Sequence, residues 1–294
     1  EAFGLYDIFI VDGASGDVIY TVFKEIDFAT NLNSGSFQNT KLAETFKRIM
    51  ASNDQNALIS EFAAYPPSYE DAAAFIGAPI YKNGKKIAAL IFQLPIDRIN
   101  NVMTNNNQWE AKGLGKTGES YLVGGDYLMR NQSRLLITNK ELFVTELKQN
   151  AEEGVTNNPI ALINAKNSTI GLVSVKNSAV EEALKGHKGF KEVQNYLGKT
   201  VLSAYAPFEF LGLKWALITE IEVTEAFAAK EALAKALSAG HGLPWHDAEV
   251  INHENGKPDF LFRGEIAELV DGAKVHLSLS HDAGIASAMV VVER

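Results

Sequence analysis

The chain has 294 residues, 46% of them hydrophobic and 21% charged, with 0 cysteines and a formal net charge of −9 at pH 7. That composition suits two or three folded domains and excludes a disordered chain, a disulfide framework, thiolate metal sites and a cysteine nucleophile. An acidic chain with no basic run interleaved with aromatics has no electrostatic footing on nucleic acid, and no nucleic-acid partner is expected.

From the amino terminus, Tyr6-Asp-Ile-Phe-Ile-Val-Asp12 alternates and is rich in aromatic and β-branched residues, which predicts a strand. Gly13-Ala-Ser-Gly16 turns it and Val18-Ile-Tyr-Thr-Val-Phe23 returns as a hairpin partner. After a polar Asn/Gly/Ser-rich stretch, Leu42 to Met50 has helical spacing and Leu58 to Phe62 reads as a third strand. Gly77 to Tyr81 and Ile87 to Gln93 form a closing hairpin around Lys82-Asn-Gly84.

The pattern is then stated again. Past a connector from Ile96 to Lys112, Gly118 to Gly124 and Tyr127 to Arg130 predict a short hairpin. Polar and helical segments follow, and Thr200 to Tyr205, a turn near Pro207 and Leu213 to Ile221 close a second sheet. Strand–turn–strand, a helical middle and strand–turn–strand is what a PAS-like module needs, with helices on one face of an antiparallel sheet and a ligand cavity between.

The tail changes character. Thr224 to Leu237 is a strong helix former, with Thr224 as N-cap and Gly240 as stop. Leu243 to Ile251 reads as a strand, Asn252 to Pro258 as a turn, Phe260 to Phe262 as a short strand and Glu265 to Leu269 as a helix start. Val275 to His281 and Ala286 to Val292 form a last hairpin. The predicted fold class is α+β: two tandem PAS-like antiparallel-sheet modules, 1–98 and 99–224, plus a small α+β segment, 225–294.

Four motifs carry a family resemblance over about residues 1–224. Phe23-Lys-Glu-Ile-Asp-Phe28, Tyr65-Pro-Pro-Ser68, Gly113-Leu-Gly-Lys-Thr-Gly-Glu-Ser-Tyr-Leu-Val-Gly-Gly-Asp126 and Leu128-Met-Arg-Asn-Gln-Ser-Arg134 resemble the double Cache ectodomains of bacterial chemoreceptors and membrane-bound sensor kinases or cyclases. The resemblance implies small-molecule sensing in the periplasm, no cofactor, flanking transmembrane helices outside this chain and compatibility with a homodimer. It departs at the start, where Glu1 to Leu5 would be only the last turn of the long helix that opens such ectodomains; the chain reads as an excised piece. Tyr65, Tyr69, Glu70, Asp71 and Phe75 fall between two strands of the first module and suit a small polar ligand, with core packing as the alternative for the aromatics. Arg130, Ser133 and Arg134 either line a second cavity or cap a sheet edge. Gly113-x-Gly-x-x-Gly118 precedes a strand, so it reads as a turn needing positive φ and not as a nucleotide loop.

In the tail, Phe227-Ala-Ala-Lys-Glu-Ala-Leu-Ala-Lys235, Asn255-Gly-Lys-Pro258 and His276-Leu-Ser-Leu-Ser-His-Asp282 resemble the carboxy-terminal half of holo-acyl-carrier-protein synthase, a phosphopantetheinyl transferase. The resemblance implies Glu231 as a magnesium ligand, Lys235 as the catalytic candidate, and Lys257, His276 and Ser280 at the phosphates of coenzyme A. Its partner would be a carrier protein and its location cytoplasmic. The family's other magnesium ligand, an Asp in an amino-terminal Gly-x-Asp strand motif, has no counterpart here, so a chimera without transferase turnover is expected. His241, His246, His253, His276 and His281 scatter over different elements and do not predict zinc.

Overall fold

The computed structural model describes residues 6–94, 96–152, 158–238, 244–253, 257–282 and 285–294. The first part runs β1 (Ile8–Asp12), β2 (Val18–Thr21), α1 (Lys41–Ala51), β3 (Leu58–Ile59), β4 (Ala63–Tyr65), β5 (Asp71–Ala73), β6 (Phe75–Lys82) and β7 (Lys85–Gln93). Its antiparallel sheet has the order β2-β1-β7-β6-β3, so the opening hairpin and the last strand share one sheet as predicted. Phe9, Val11, Ala89 and Ile91 are the inward alternate residues, and they share a core with Leu42, Phe46 and Ile49 of α1. Thr40 caps α1 by accepting from the Ala43 amide.

The second part runs α2 (Ile96–Met103), β8 (Glu119–Val123), α3 (Arg134–Thr138), α4 (Lys140–Glu152), α5 (Ile160–Lys166), α6 (Ser178–Leu184), β9 (Gly189–Gln194), β10 (Thr200–Phe210) and β11 (Leu213–Glu222). Its sheet order is β8-β11-β10-β9, over a core that includes Tyr121, Phe143, Leu147, Ile163, Val180 and Ile218.

Two expectations change here. Residues 127–130 form no strand, because Leu128 and Met129 make only isolated bridges, to Ser174 and Val123. Pro207 makes no turn: β10 continues through it to Phe210, and the chain reverses at Leu211 and Gly212 with φ of 48° and 85°. Pairing of β10 with β9 stops at Tyr205, so beyond it one edge of β10 is open and the missing proline N–H need not break a ladder. Phe62, Ala74, Leu122 and Trp215 form a small apolar cluster joining the two parts.

The tail comprises α7 (Val223–Ala236), β12 (Ala248–Asn252), β13 (Pro258–Phe262), α8 (Gly264–Leu269), β14 (Lys274–Asp282) and β15 (Ile285–Glu293). It forms two hairpins, β12–β13 and β14–β15, around Ala229, Leu233, Phe260, Ile266 and Leu277. β11 passes into α7 directly, with Glu222 and not Thr224 at the N-cap position. The strand expected from Leu243 starts at Ala248, after a tight helical turn at Trp245–Asp247; Gly240 and Leu243 lie outside the described residues. Helices packed with separate antiparallel sheets make the fold α+β. Among the described residues no helix is long and apolar enough to cross a membrane.

Candidate functional site

The segment predicted to hold a ligand is a small hairpin, with Tyr65 paired to Asp71 across a turn at Pro66–Ser68. This hairpin holds four of the five predicted residues and sorts them by side, while Phe75 begins β6. Tyr65 is buried in the first core, donates its hydroxyl to Asp27 Oδ2 at 2.5 Å and meets the buried Phe75 ring edge-on at 4.9 Å. Tyr65 and Phe75 therefore pack the core, and neither belongs to the walls of the two cavities described below. Burial first, then the neighbouring Asp27, raise the Tyr65 pKa and keep it a donor. Burial likewise raises the Asp27 carboxyl, whose Oδ1 has no partner. Tyr69 points the other way, exposed on a left-handed backbone with φ of 55°.

Glu70 and Asp71 reach a cavity of about 440 Å³ between this hairpin and the second part. Lys41, Glu61 and Phe62 also wall it from the first part, and Asp126, Leu162, Lys166 and Leu172 from the second. Lys166 lies 3.6 Å from Asp71 and donates to the Tyr69 carbonyl. Two wall acids are tied together by Arg130, whose guanidinium reaches Glu61 at 3.0 Å and Asp126 at 2.8 Å. Trp215 Nε1 donates to both Glu61 oxygens at 2.9 and 3.1 Å, and Arg130 lies 5.9 Å from the Trp215 ring. A Cβ at Gly124 would fall 1.9 Å from Arg130, so the strand end needs a glycine to admit it.

Arg130 thus links the two parts. Lys41, Glu61, Asp126 and Lys166 were not found by sequence reading, because they come from separate segments with no common spacing. A second cavity, about 400 Å³, is walled by hydrocarbon apart from Arg98 and suits no polar ligand.

The second sheet carries a different polar feature. Glu119 and Glu220 are buried directly opposite each other on β8 and β11. Glu220 accepts from Tyr121 at 2.6 Å and Asn195 at 2.7 Å; Glu119 accepts from the Tyr196 hydroxyl and, at 2.8 Å, the Arg134 amide. Desolvation first, then the facing Glu119, push the Glu220 pKa up to about 8, and burial raises Glu119 too. Ser133 lies 2.7 Å from the Tyr196 hydroxyl and extends this network.

The Gly-rich run is the positive-φ turn expected, with φ of 87° at Gly113 and 57° at Gly115. Arg134 donates to the Gly115 and Gly118 carbonyls at 3.0 and 2.5 Å and covers the Trp109 ring at 4.9 Å. The other side of the loop presents amides: Lys116 N and Thr117 N each donate at 2.9 Å to the carboxylate of Glu225, and the Thr117 hydroxyl adds a bond at 2.5 Å. The loop is an anion cradle occupied by the first turn of α7.

In the tail, Glu231 and Lys235 pair with each other at 2.7 Å in open solvent, with side chains 67% and 74% exposed, and the lysine lowers the Glu231 pKa. His276 lies 3.4 Å from Glu293, an acid unsuited to a phosphate neighbour. Lys257 precedes β13, and Ser280 belongs to β14; His241 lies outside the described residues. Among the described residues no group of three or more His, Cys, Asp or Glu could hold a metal. A lone exposed carboxylate already paired with an ammonium does not fit magnesium, which wants a near-octahedral oxygen set.

Residues 215–286 match the model of the 4'-phosphopantetheinyl transferase superfamily. The carboxy-terminal segment resembles a holo-acyl-carrier-protein synthase. It is 55% identical over 71 residues to holo-[acyl-carrier-protein] synthase of Beutenbergia cavernae, covering 23% of this chain and 61% of that protein. It is 54% identical over 70 residues to the synthase of Frankia alni, covering 23% and 59%. The chain thus spans about six-tenths of the length of the curated relatives it matches. Among solved structures, the ligand-binding domain of Pseudomonas fluorescens chemoreceptor CtaA, in complex with L-alanine, aligns at TM-score 0.45 and 13% identity, over 77% of each chain. The ligand-binding domain of Pseudomonas aeruginosa PAO1 chemoreceptor PctB, in complex with L-Gln, aligns at TM-score 0.45 and 12% identity, over 81% of this chain and 77% of that one.

Proposed function

We propose that residues 1–224 are the extracytoplasmic sensor of a receptor, two PAS-like modules (1–98 and 99–224) that bind a small polar ligand without covalent chemistry. The observation supporting this is the 440 Å³ cavity whose charged and apolar walls come from both parts, a size that suits a small molecule. The predicted ligand segment contributes Glu70 and Asp71 to it. The test is a thermal-shift screen of amino acids, organic acids and amines. A true ligand at a hundredfold excess over Kd adds about 2.7 kcal/mol of stability. Ala64→Trp fills the cavity from an exposed position in β4 and should remove that shift while leaving the ligand-free Tm within a few degrees. An unchanged shift puts the ligand elsewhere.

The second reading is phosphopantetheine transfer from coenzyme A by residues 225–294, joined to the sensor as a chimera. The 55% identity to a holo-[acyl-carrier-protein] synthase favours it. The exposed Glu231–Lys235 pair speaks against turnover by this chain. Incubation with coenzyme A, magnesium and an apo carrier protein should leave the carrier mass unchanged. A phosphopantetheine mass gain that disappears in Glu231→Ala would make the tail the active part.

A further inference from the structure

The charged groups around the intermodule cavity differ in how much charge they leave available. We infer that the cavity takes a small organic cation with a hydrocarbon body, an aliphatic amine; this rests on the reading of the cavity as a ligand site.

The accessible charge is mostly carboxylate. Side-chain exposure is 74% for Asp71, 49% for Asp126 and 32% for Glu61, against 31% for Lys41, 25% for Lys166 and 1% for Arg130. The cations are also engaged. Lys41 Nζ lies 2.6 Å from Glu44, Lys166 is held by Asp71 and the Tyr69 carbonyl, and Arg130 is shared between Glu61 and Asp126.

Acceptors remain open. Asp126 uses Oδ1 for Arg130 and the Leu128 amide, while its Oδ2 and both Glu70 oxygens accept no hydrogen bond among the described residues. An ammonium group would meet those oxygens through charge-assisted bonds. Phe62, Leu128, Leu162 and Leu172 would cover a short aliphatic body. An anion would have to part Lys166 from Asp71 and then face Glu70 and Asp126.

The experiment uses the full chain, with 1,4-diaminobutane, butylamine, butyrate and n-butanol as probes in calorimetry and thermal shift. Both amines should bind saturably and raise Tm, and butyrate and butanol should not. Glu70→Gln with Asp126→Asn should weaken the diamine at least tenfold, the worth of one charge-assisted bond. Because Asp126 also holds Arg130, Glu70→Gln alone serves as the variant that keeps the fold, and it should weaken the diamine in the same direction. Lys41→Met should leave the affinity within about twofold, its charge being already taken by Glu44. A shift with butyrate and none with amines overturns the cation assignment and leaves the cavity as a site. Amine binding unchanged in both acid variants also overturns it. No shift with either amine rejects it as well, whereas the sensor reading falls only if the wider screen yields nothing that Ala64→Trp abolishes.

Discussion

Glu119 and Glu220 in the second sheet and Asp7 and Asp27 beside the first are all buried carboxylates, yet the two parts finish them differently. Each oxygen of Glu119 and Glu220 accepts a bond from a tyrosine, an asparagine or a backbone amide. In the first part Asp7 Oδ1 accepts from the Ile8 and Val22 amides, but Asp7 Oδ2, Asp27 Oδ1 and Gln93 Oε1 have no partner. Buried polar atoms normally find a partner, and each one left bare costs about 1–3 kcal/mol. The second sheet therefore holds its acids as finished structure. The polar end of the first sheet depends on a single donor to Asp27, the Tyr65 hydroxyl.

That difference can be broken by substitution, most strongly at Tyr65. Tyr65→Ala removes the ring packed on Phe75 as well as the bond to Asp27, and should cost about 3–5 kcal/mol in urea unfolding. A loss under about 1 kcal/mol would mean that the ring faces a ligand and not the core. The next effect is on pH dependence. Folding raises the Glu220 pKa from 4.5 to about 8, so the folded state keeps a proton that the unfolded chain has released. Its contribution is complete below pH 4.5 and is lost as pH rises through about 8. Glu220→Gln, whose amide can donate to the Tyr121 oxygen, should flatten that decline in Tm against pH. A decline of equal slope in the variant would place the titration on another group.

Tyr65→Phe sharpens the contrast at smaller scale. It leaves Asp27 with neither oxygen bonded and should cost about 1–3 kcal/mol, read as a shift of the urea midpoint. Tyr196→Phe leaves Glu119 the Arg134 amide but bares its other oxygen and takes a partner from Ser133, and should cost a similar amount. A Tyr196→Phe cost well below that of Tyr65→Phe would show that the second sheet is the more tolerant one. Smallest of all is Glu231→Ala in the tail. It removes an exposed ion pair one helical turn apart, screened by solvent, and should leave the urea midpoint unchanged.

The hairpins were legible because their signals are local: alternation in Tyr6 to Asp12 and turn residues at Gly13 to Gly16 and Lys82 to Gly84. β9 was missed because it is an edge strand whose Phe190 is exposed, which blurs the alternation. The candidate site was legible only at Glu70 and Asp71, because the hairpin carrying them is contiguous in sequence. The rest of its wall comes from α1, the residues leading into β4, the segment after β8, and α5 with the segment that follows it, and no spacing rule connects those segments. The positive φ at Gly113 and Gly115 could be read from the glycines, but what the loop grips could not, since Thr117 and Glu225 are 108 residues apart.

The grip on Glu225 makes α7 a lever with a fixed fulcrum. Its first turn is pinned to the loop before β8, and its 14 residues carry it about 21 Å from that point. A tilt of about 5° at the pinned end would move the far end by about 2 Å.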